Sequence, residues 1–75
     1  MMVIRSEVDA RGLMCPLPLL RLKKALMEME TGELVRVFAT DPAAHLDFGV
    51  FLDQAGHERV AFEEEGDVMI FLIRK

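Results

Sequence analysis

The sequence predicts a two-layer α/β (α+β) sandwich, a four-stranded mixed sheet with two helices on one face, in the order β-α-β-α-β-β. Three observations carry that expectation. Four short runs are rich in Val, Ile, Leu and Phe, two segments step their apolar residues by three and four, and glycine or proline punctuates every junction. At 75 residues, one layer of helices and one sheet face exhaust the apolar surface available for a core. A single domain over residues 1–75 is expected.

The elements follow in order. Val3 to Asp9 alternates, with Ile4, Ser6 and Val8 on one side and Arg5, Glu7 and Asp9 on the other. That is the pattern of an edge strand with one polar face, and Gly12 breaks it. Pro16 to about Glu30 reads as a helix. Leu19, Leu22, Leu26 and Met29 draw one apolar stripe, widened by Leu20 and Met27, with Arg21, Lys24 and Glu28 on the wet face. Pro16 suits the first helical position and Pro18 the first turn, where a missing N–H costs nothing. Thr31-Gly32 stops the helix.

Glu33 to Thr40 is the second strand. Asp41 then serves as N-cap and Pro42 as the first residue of a helix that runs to Ala55. Ala44, Phe48, Phe51, Leu52 and Ala55 form its buried face, while Leu46 and Val50 point away. Gly49 costs this helix about 1 kcal/mol relative to alanine, which suggests a close packing contact there. His57 to Glu64 and Val68 to Arg74 form a hairpin around Glu65-Gly66-Asp67. Val68 to Ile73 is apolar on both faces, as expected of a central strand or of one whose outer face meets a partner.

Composition narrows the function classes. Nine Lys+Arg against 13 Asp+Glu give a net charge of −4, and hydrophobic residues make up 52% of the chain. This is too apolar for a disordered chain. The acidity and the mixed charge pattern argue against a nucleic acid as direct partner, which would need a basic patch. One cysteine excludes an internal disulfide. Cys15, His45 and His57 are too few and too far apart in sequence for a structural zinc site, so no metal is expected. The longest apolar run, Leu13 to Leu20, falls far short of the roughly 20 residues of a membrane helix. Met1-Met2-Val3-Ile4, followed by Arg5, lacks the apolar core of a secretory leader. A soluble, cytoplasmic protein without a membrane partner is the expectation.

The segment that carries chemistry is Gly12-Leu13-Met14-Cys15-Pro16-Leu17-Pro18. It places the only thiol where a loop meets a helix. Free amides and aligned dipoles at a helix N-terminus favour a thiolate, and Arg11 with the basic residues Arg21, Lys23 and Lys24 stands nearby in sequence. The thiol is therefore expected to ionise below the free-cysteine value of about 8.5. Pro16 disfavours the α region at Cys15, which presents the sulfur outward. The remaining candidates have plain structural readings. Arg21, Lys23 and Lys24 make a solvated helix face or a dock for an acidic surface. His45 and His57 read as surface residues, Glu63-Glu64-Glu65 as turn solvation, and the six methionines as core filler.

At these residues the chain resembles the TusA/SirA/YedF family of small sulfur-carrier proteins, whose mark is Cys-Pro-x-Pro, here Cys15-Pro16-Leu17-Pro18. The resemblance spans nearly the whole chain. It takes in Asp9, Gly32-Glu33, Asp41-Pro42, Gly56-His57-Glu58 and the closing Leu72-Ile73-Arg74-Lys75. It implies a β-α-β-α-β-β fold like that of the C-terminal domain of translation initiation factor three. It also implies that Cys15 accepts persulfide sulfur from a cysteine desulfurase or a rhodanese-like donor and relays it to a downstream acceptor, in tRNA 2-thiolation or another sulfur-trafficking route. No cofactor beyond a transient persulfide on Cys15 is implied, with Gly12, Pro16 and Pro18 positioning the thiol. Two departures stand out: Leu17 replaces a commonly acidic residue, and Leu46 a commonly basic one, while Asp47 is kept. With Arg11, Arg21 and Lys24, Leu46 and Asp47 are candidate docking residues.

Three functional readings compete. A sulfur carrier, a persulfide-relay sulfurtransferase, loses its activity with Cys15→Ala. A non-enzymatic interaction or regulatory module, docking through the open sheet face or the basic first helix, keeps binding when Cys15 becomes serine. A thiol redox protein, which has no resolving cysteine in the chain, would form a reducible dimer. The carrier is expected to be a monomer or a weak dimer.

Overall fold

The computed structural model describes residues 3–75. Met1 and Met2, which begin the stretch read as lacking a leader, lie outside the described residues. Strand β1 covers Ile4–Ala10, helix α1 Leu17–Met27, β2 Leu34–Ala39, α2 Ala43–Ala55, β3 Glu58–Glu65 and β4 Val68–Arg74. The order is the one read from the sequence. The four strands form one sheet in the order β1-β2-β4-β3. β1 runs parallel to β2, and β4 runs antiparallel to both β2 and β3, so the sheet is mixed. No helix among the described residues is long and apolar enough to cross a membrane.

Parallel pairing dictates the layout. A parallel neighbour cannot be reached by a tight turn and needs a crossover, which α1 supplies. Both helices pack on the same face of the sheet. The core is the layer between them: Leu22 and Leu26 of α1, Phe48 and Leu52 of α2, Val35 and Val37 of β2, and Phe71 and Ile73 of β4. Phe48 and Phe71 meet at its centre, with ring centroids 4.7 Å apart. β4 alternates along its length, with Met69, Phe71 and Ile73 buried in the core and Val68, Ile70 and Leu72 half-buried on the open face. β4 lies between β2 and β3, so the doubly apolar run is that of a central strand. Gly66 takes φ +61° in the β3–β4 connection, while Asp67 does not take a positive φ. A two-residue hairpin with a positive φ at its first central position alone matches a type II′ turn.

Several sequence expectations need correction. Helix α1 starts at Leu17, not Pro16; Pro16 sits just outside it and Pro18 occupies the first turn. The helix also closes early, at Met27, although Met29 beyond it remains buried. Leu20 and Met27 do not widen the buried stripe; they are 51% and 83% exposed. The reason is rotational: at about 100° per residue, Met27 is a quarter-turn past Leu26 and Leu20 lies nearly opposite Leu22. Ala55, expected on the buried face of α2, is exposed. Gly49 marks no close contact, because a Cβ there would meet nothing within 4 Å. His45 is exposed yet engaged: it stacks on Phe62 with centroids 4.5 Å apart, and its Nε2 lies 2.8 Å from Arg59 Nη1. His57 is half-buried beside Phe51.

Candidate functional site

The site is assembled where β1 and β2 end. Ala10 pairs with Ala39, the last residues of two parallel strands, so the loops that follow leave the same end of the sheet side by side. Residues 11–16 lead to α1 and residues 40–42 to α2. Gly12 turns the first loop with φ +79°, a conformation that side chains resist. Its N–H donates to Thr40 Oγ1 at 2.9 Å. Three residues on, the Cys15 N–H donates to Asp41 Oδ2 at 2.6 Å. The other Asp41 carboxylate oxygen accepts the Ala43 N–H at 3.1 Å, so Asp41 caps α2 while holding the cysteine loop. The Cys15–Pro16 peptide bond is cis.

Cys15 is exposed, as its position before the helix predicts. Its thiol donates to Asp47 Oδ2 at 2.9 Å. Asp47 lies on α2, 32 residues away in sequence, and the sequence marked it only for docking.

The expected acidic thiol is not what the geometry produces. The Cys15 thiol is pushed up from its ordinary value, chiefly by the hydrogen bond to Asp47, then by loss of water around the sulfur and by the charges of Asp47 and Asp41. A hydrogen bond donated to a carboxylate stabilises the neutral thiol, and adjacent negative charge opposes the thiolate. The helix terminus offers little to counter this. Pro16 and Pro18 have no N–H, and the Leu17 N–H is engaged by the Met14 carbonyl at 2.9 Å. Arg11 does not assist either. Its Nε and Nη2 each donate to Asp9 at 2.9 Å, and its guanidinium lies over the Phe38 ring. That fork holds the Asp9 carboxyl down to about 2.

The other candidates divide by position. Arg21 and Lys24 line a groove of about 680 Å³ between α1 and β1, together with Arg5, Glu7, Asp9 and Glu28. That groove does not include Cys15, so the sequence cluster of basic residues is not a cluster around the sulfur. Lys23 places its ammonium 5.1 Å from the centroid of the Phe51 ring, tying α1 to α2. Leu46 is 72% exposed on α2, next to Asp47, and Val50 follows one turn on. Met14 and Leu17, which flank the Cys15-Pro16 pair, are exposed as well. Exposed apolar side chains thus neighbour Cys15 and Asp47 in sequence, and the Asp47 carboxylate meets the thiol. Asp41 was legible as a cap, and its bond to Cys15 was not. The available signal was the strand-helix-strand order, since parallel pairing brings both strand-to-helix junctions to one end.

Comparison with known proteins places this site in context. A family model described as sulfurtransferase TusA matches residues 6–75. The chain is 49% identical over 70 residues to the sulfur carrier protein TusA of Allochromatium vinosum, covering 93% of this chain and 92% of that protein. It is 41% identical over 68 residues to the putative sulfur carrier protein YrkI of Bacillus subtilis, covering 91% of each. The crystal structure of a SirA-like protein from Desulfitobacterium hafniense superposes with a TM-score of 0.81 at 28% identity, covering 92% of this chain and 95% of that one.

Proposed function

The chain belongs to the sulfurtransferase TusA family, and from that premise we propose that Cys15 carries sulfur as a persulfide, taken from a donor protein and handed to an acceptor. The observation that supports this most directly is the exposed Cys15 thiol, the single sulfhydryl of the chain, held at the head of α1 by contacts from the α2 side.

The step balances without any outside oxidant or reductant. The Cys15 sulfur attacks the outer sulfur of a donor cysteine persulfide. A new S–S bond forms to Cys15 as the donor's S–S bond breaks. The donor leaves as a thiol and takes up the proton that Cys15 gives up. Hand-over repeats the exchange, with an acceptor thiol attacking the outer sulfur and Cys15 as the leaving group. The chemistry lies in the two sulfurs, and no metal or organic cofactor takes part. A cysteine desulfurase or a rhodanese-like protein is the donor, and a second protein is the acceptor, in tRNA 2-thiolation or another sulfur-trafficking route. Nucleic acid does not bind directly, because the thiol stands beside two carboxylates that repel phosphate. The carrier works in the cytoplasm.

The test is intact mass spectrometry without reductant. The purified chain is incubated with a cysteine desulfurase plus cysteine, and separately with thiosulfate plus a rhodanese. A reductant-labile gain of one sulfur atom on the wild type, and none on Cys15→Ala, supports the carrier. No gain with either donor, on a thiol that alkylates freely, overturns it.

A further inference from the structure

Cys15 is exposed, yet its hydrogen is not free. It is directed to Asp47 Oδ2 at 2.9 Å, while the backbone of the same residue is tied to Asp41. The two contacts fix the sulfur from both ends of a short lever. Asp41 sets where the main chain of Cys15 lies, and Asp47 sets which way the side chain turns. Neither aspartate forms an ion pair among the described residues. These two are the charged groups that bear on the sulfur, Asp47 from α2 and Asp41 from the β2–α2 junction.

We propose that Asp47 is a positioning residue of the sulfur-transfer step, which aims the Cys15 sulfur and keeps it in the hydrogen-bonded thiol form until an incoming partner takes over its carboxylate. The proposal deepens the carrier reading and rests on it for its purpose. Its physical content concerns the free chain alone. A thiol that donates to a carboxylate must lose that bond to ionise, and the thiolate then faces like charge. The native chain is accordingly a poor nucleophile toward small electrophiles and oxidants, although its sulfur is open to solvent. A donor that contacts Asp47 with a hydrogen-bond donor or a cation removes both obstacles together. The proton released by Cys15 then passes to the departing sulfur of the donor, as the exchange requires. Reactivity is thus coupled to docking, and sulfur is not collected from unselected persulfides.

The free chain is alkylated with iodoacetamide between pH 6 and pH 11, with the rate followed by intact mass. Wild type is compared with Asp47→Asn, which keeps an acceptor but no charge, with Asp47→Ala, which has neither, and with Asp41→Asn. The wild-type inflection is expected above that of a free cysteine. Asp47→Asn and Asp47→Ala are expected to lower it and to raise the rate at pH 7 about threefold or more. Asp41→Asn should move it less and in the same direction, and it supplies an independent reading if an Asp47 variant fails to fold. Superimposable profiles for all four proteins would overturn the proposal. The desulfurase loading assay separates the two claims. Sulfur uptake on Cys15 with unshifted profiles leaves the carrier standing and removes Asp47 from its role. Shifted profiles with no uptake leave the hold of Asp47 on the thiol standing and overturn the sulfur-transfer step it is proposed to serve.

Discussion

Asp41 joins the loop of Cys15 to the start of α2: one carboxylate oxygen accepts the Cys15 N–H and the other the Ala43 N–H. A single side chain therefore does two jobs, capping a helix and locating the residue that carries the sulfur. Replacing Asp41 by alanine removes both contacts at once. Cap removal alone typically costs about 1 kcal/mol. Asp41→Ala is expected to lower stability by at least that much, and Asp41→Asn, which still caps, by less. Urea unfolding followed by circular dichroism measures both. An Asp41→Ala protein as stable as wild type would show the bonds to be ornamental.

Two glycines on α2 should respond to alanine with opposite signs. Gly49 lies within the helix, where a Cβ meets open space. Gly49→Ala is expected to stabilise the fold by about 0.4–1 kcal/mol, by restricting the unfolded chain and favouring the helix. Gly56 ends the helix at φ +80°, where a side chain is strained although there is room for it. Gly56→Ala is expected to destabilise by about 1 kcal/mol. Thermal melts of the pair decide the matter by the direction of each shift.

The core offers little reserve. Phe48 is fully buried against Phe71, and truncating a buried phenylalanine costs about 3–5 kcal/mol. A domain of this size holds only about 5 kcal/mol in total. Phe48→Ala is therefore expected to leave much of the chain unfolded at 37 °C, visible as lost amide dispersion in an NMR spectrum. A cooperative melt close to that of wild type would argue that the core is tighter than one central aromatic pair.

Two titrations should appear in the stability profile, in opposite directions. The Cys15 thiol ionises later in the folded chain than in the unfolded one. Its contribution is complete below the ordinary thiol range and is lost as pH rises through the raised folded value. The stability of wild type relative to Cys15→Ala should accordingly decline on the alkaline side. Asp9, held down to about 2 from 3.8 by Arg11, contributes above its unfolded value and loses that contribution as pH falls toward 2. Wild type should lose stability over that acid window more steeply than Asp9→Asn. Both effects are read from urea midpoints taken across pH. Parallel curves for either pair would remove the corresponding contact from the energetics.

Much of this architecture could be read from the chain because its signals are local. Gly12, Gly32, Gly56 and Gly66 stand at the breaks, and all four take positive φ. Pro42 directly precedes α2, which starts at Ala43 and not at Pro42, and the alternation of Ile4, Ser6 and Val8 matches the half-buried face of β1. What could not be read was contact across sequence distance. Cys15 looked like a thiol at a helix terminus with basic neighbours. In space the basic residues are engaged elsewhere, Arg11 by Asp9 and Lys23 by Phe51. Two aspartates 26 and 32 residues away reach the sulfur's residue instead. Linear proximity to Arg11 predicted the wrong sign for the thiol. Leu20 and Met27 failed for a related reason: hydrophobicity marked them as core, and the rotation of α1 left them outside.

The joining of two strand-to-helix junctions at one end of the sheet also makes Cys15 a gauge of the folded state. Its exposure gives steric protection to nothing, so what restrains the sulfur is electrostatic and depends on Asp41 and Asp47 arriving through the β1–β2 pairing. A chain that has just been synthesised, or one that has frayed at β1, separates the cysteine from both carboxylates. Its thiol then reverts to ordinary acidity. Here the unfolded chain is the more reactive one, the reverse of a cysteine shielded by burial, and covalent damage would fall first on the molecules that are not yet built.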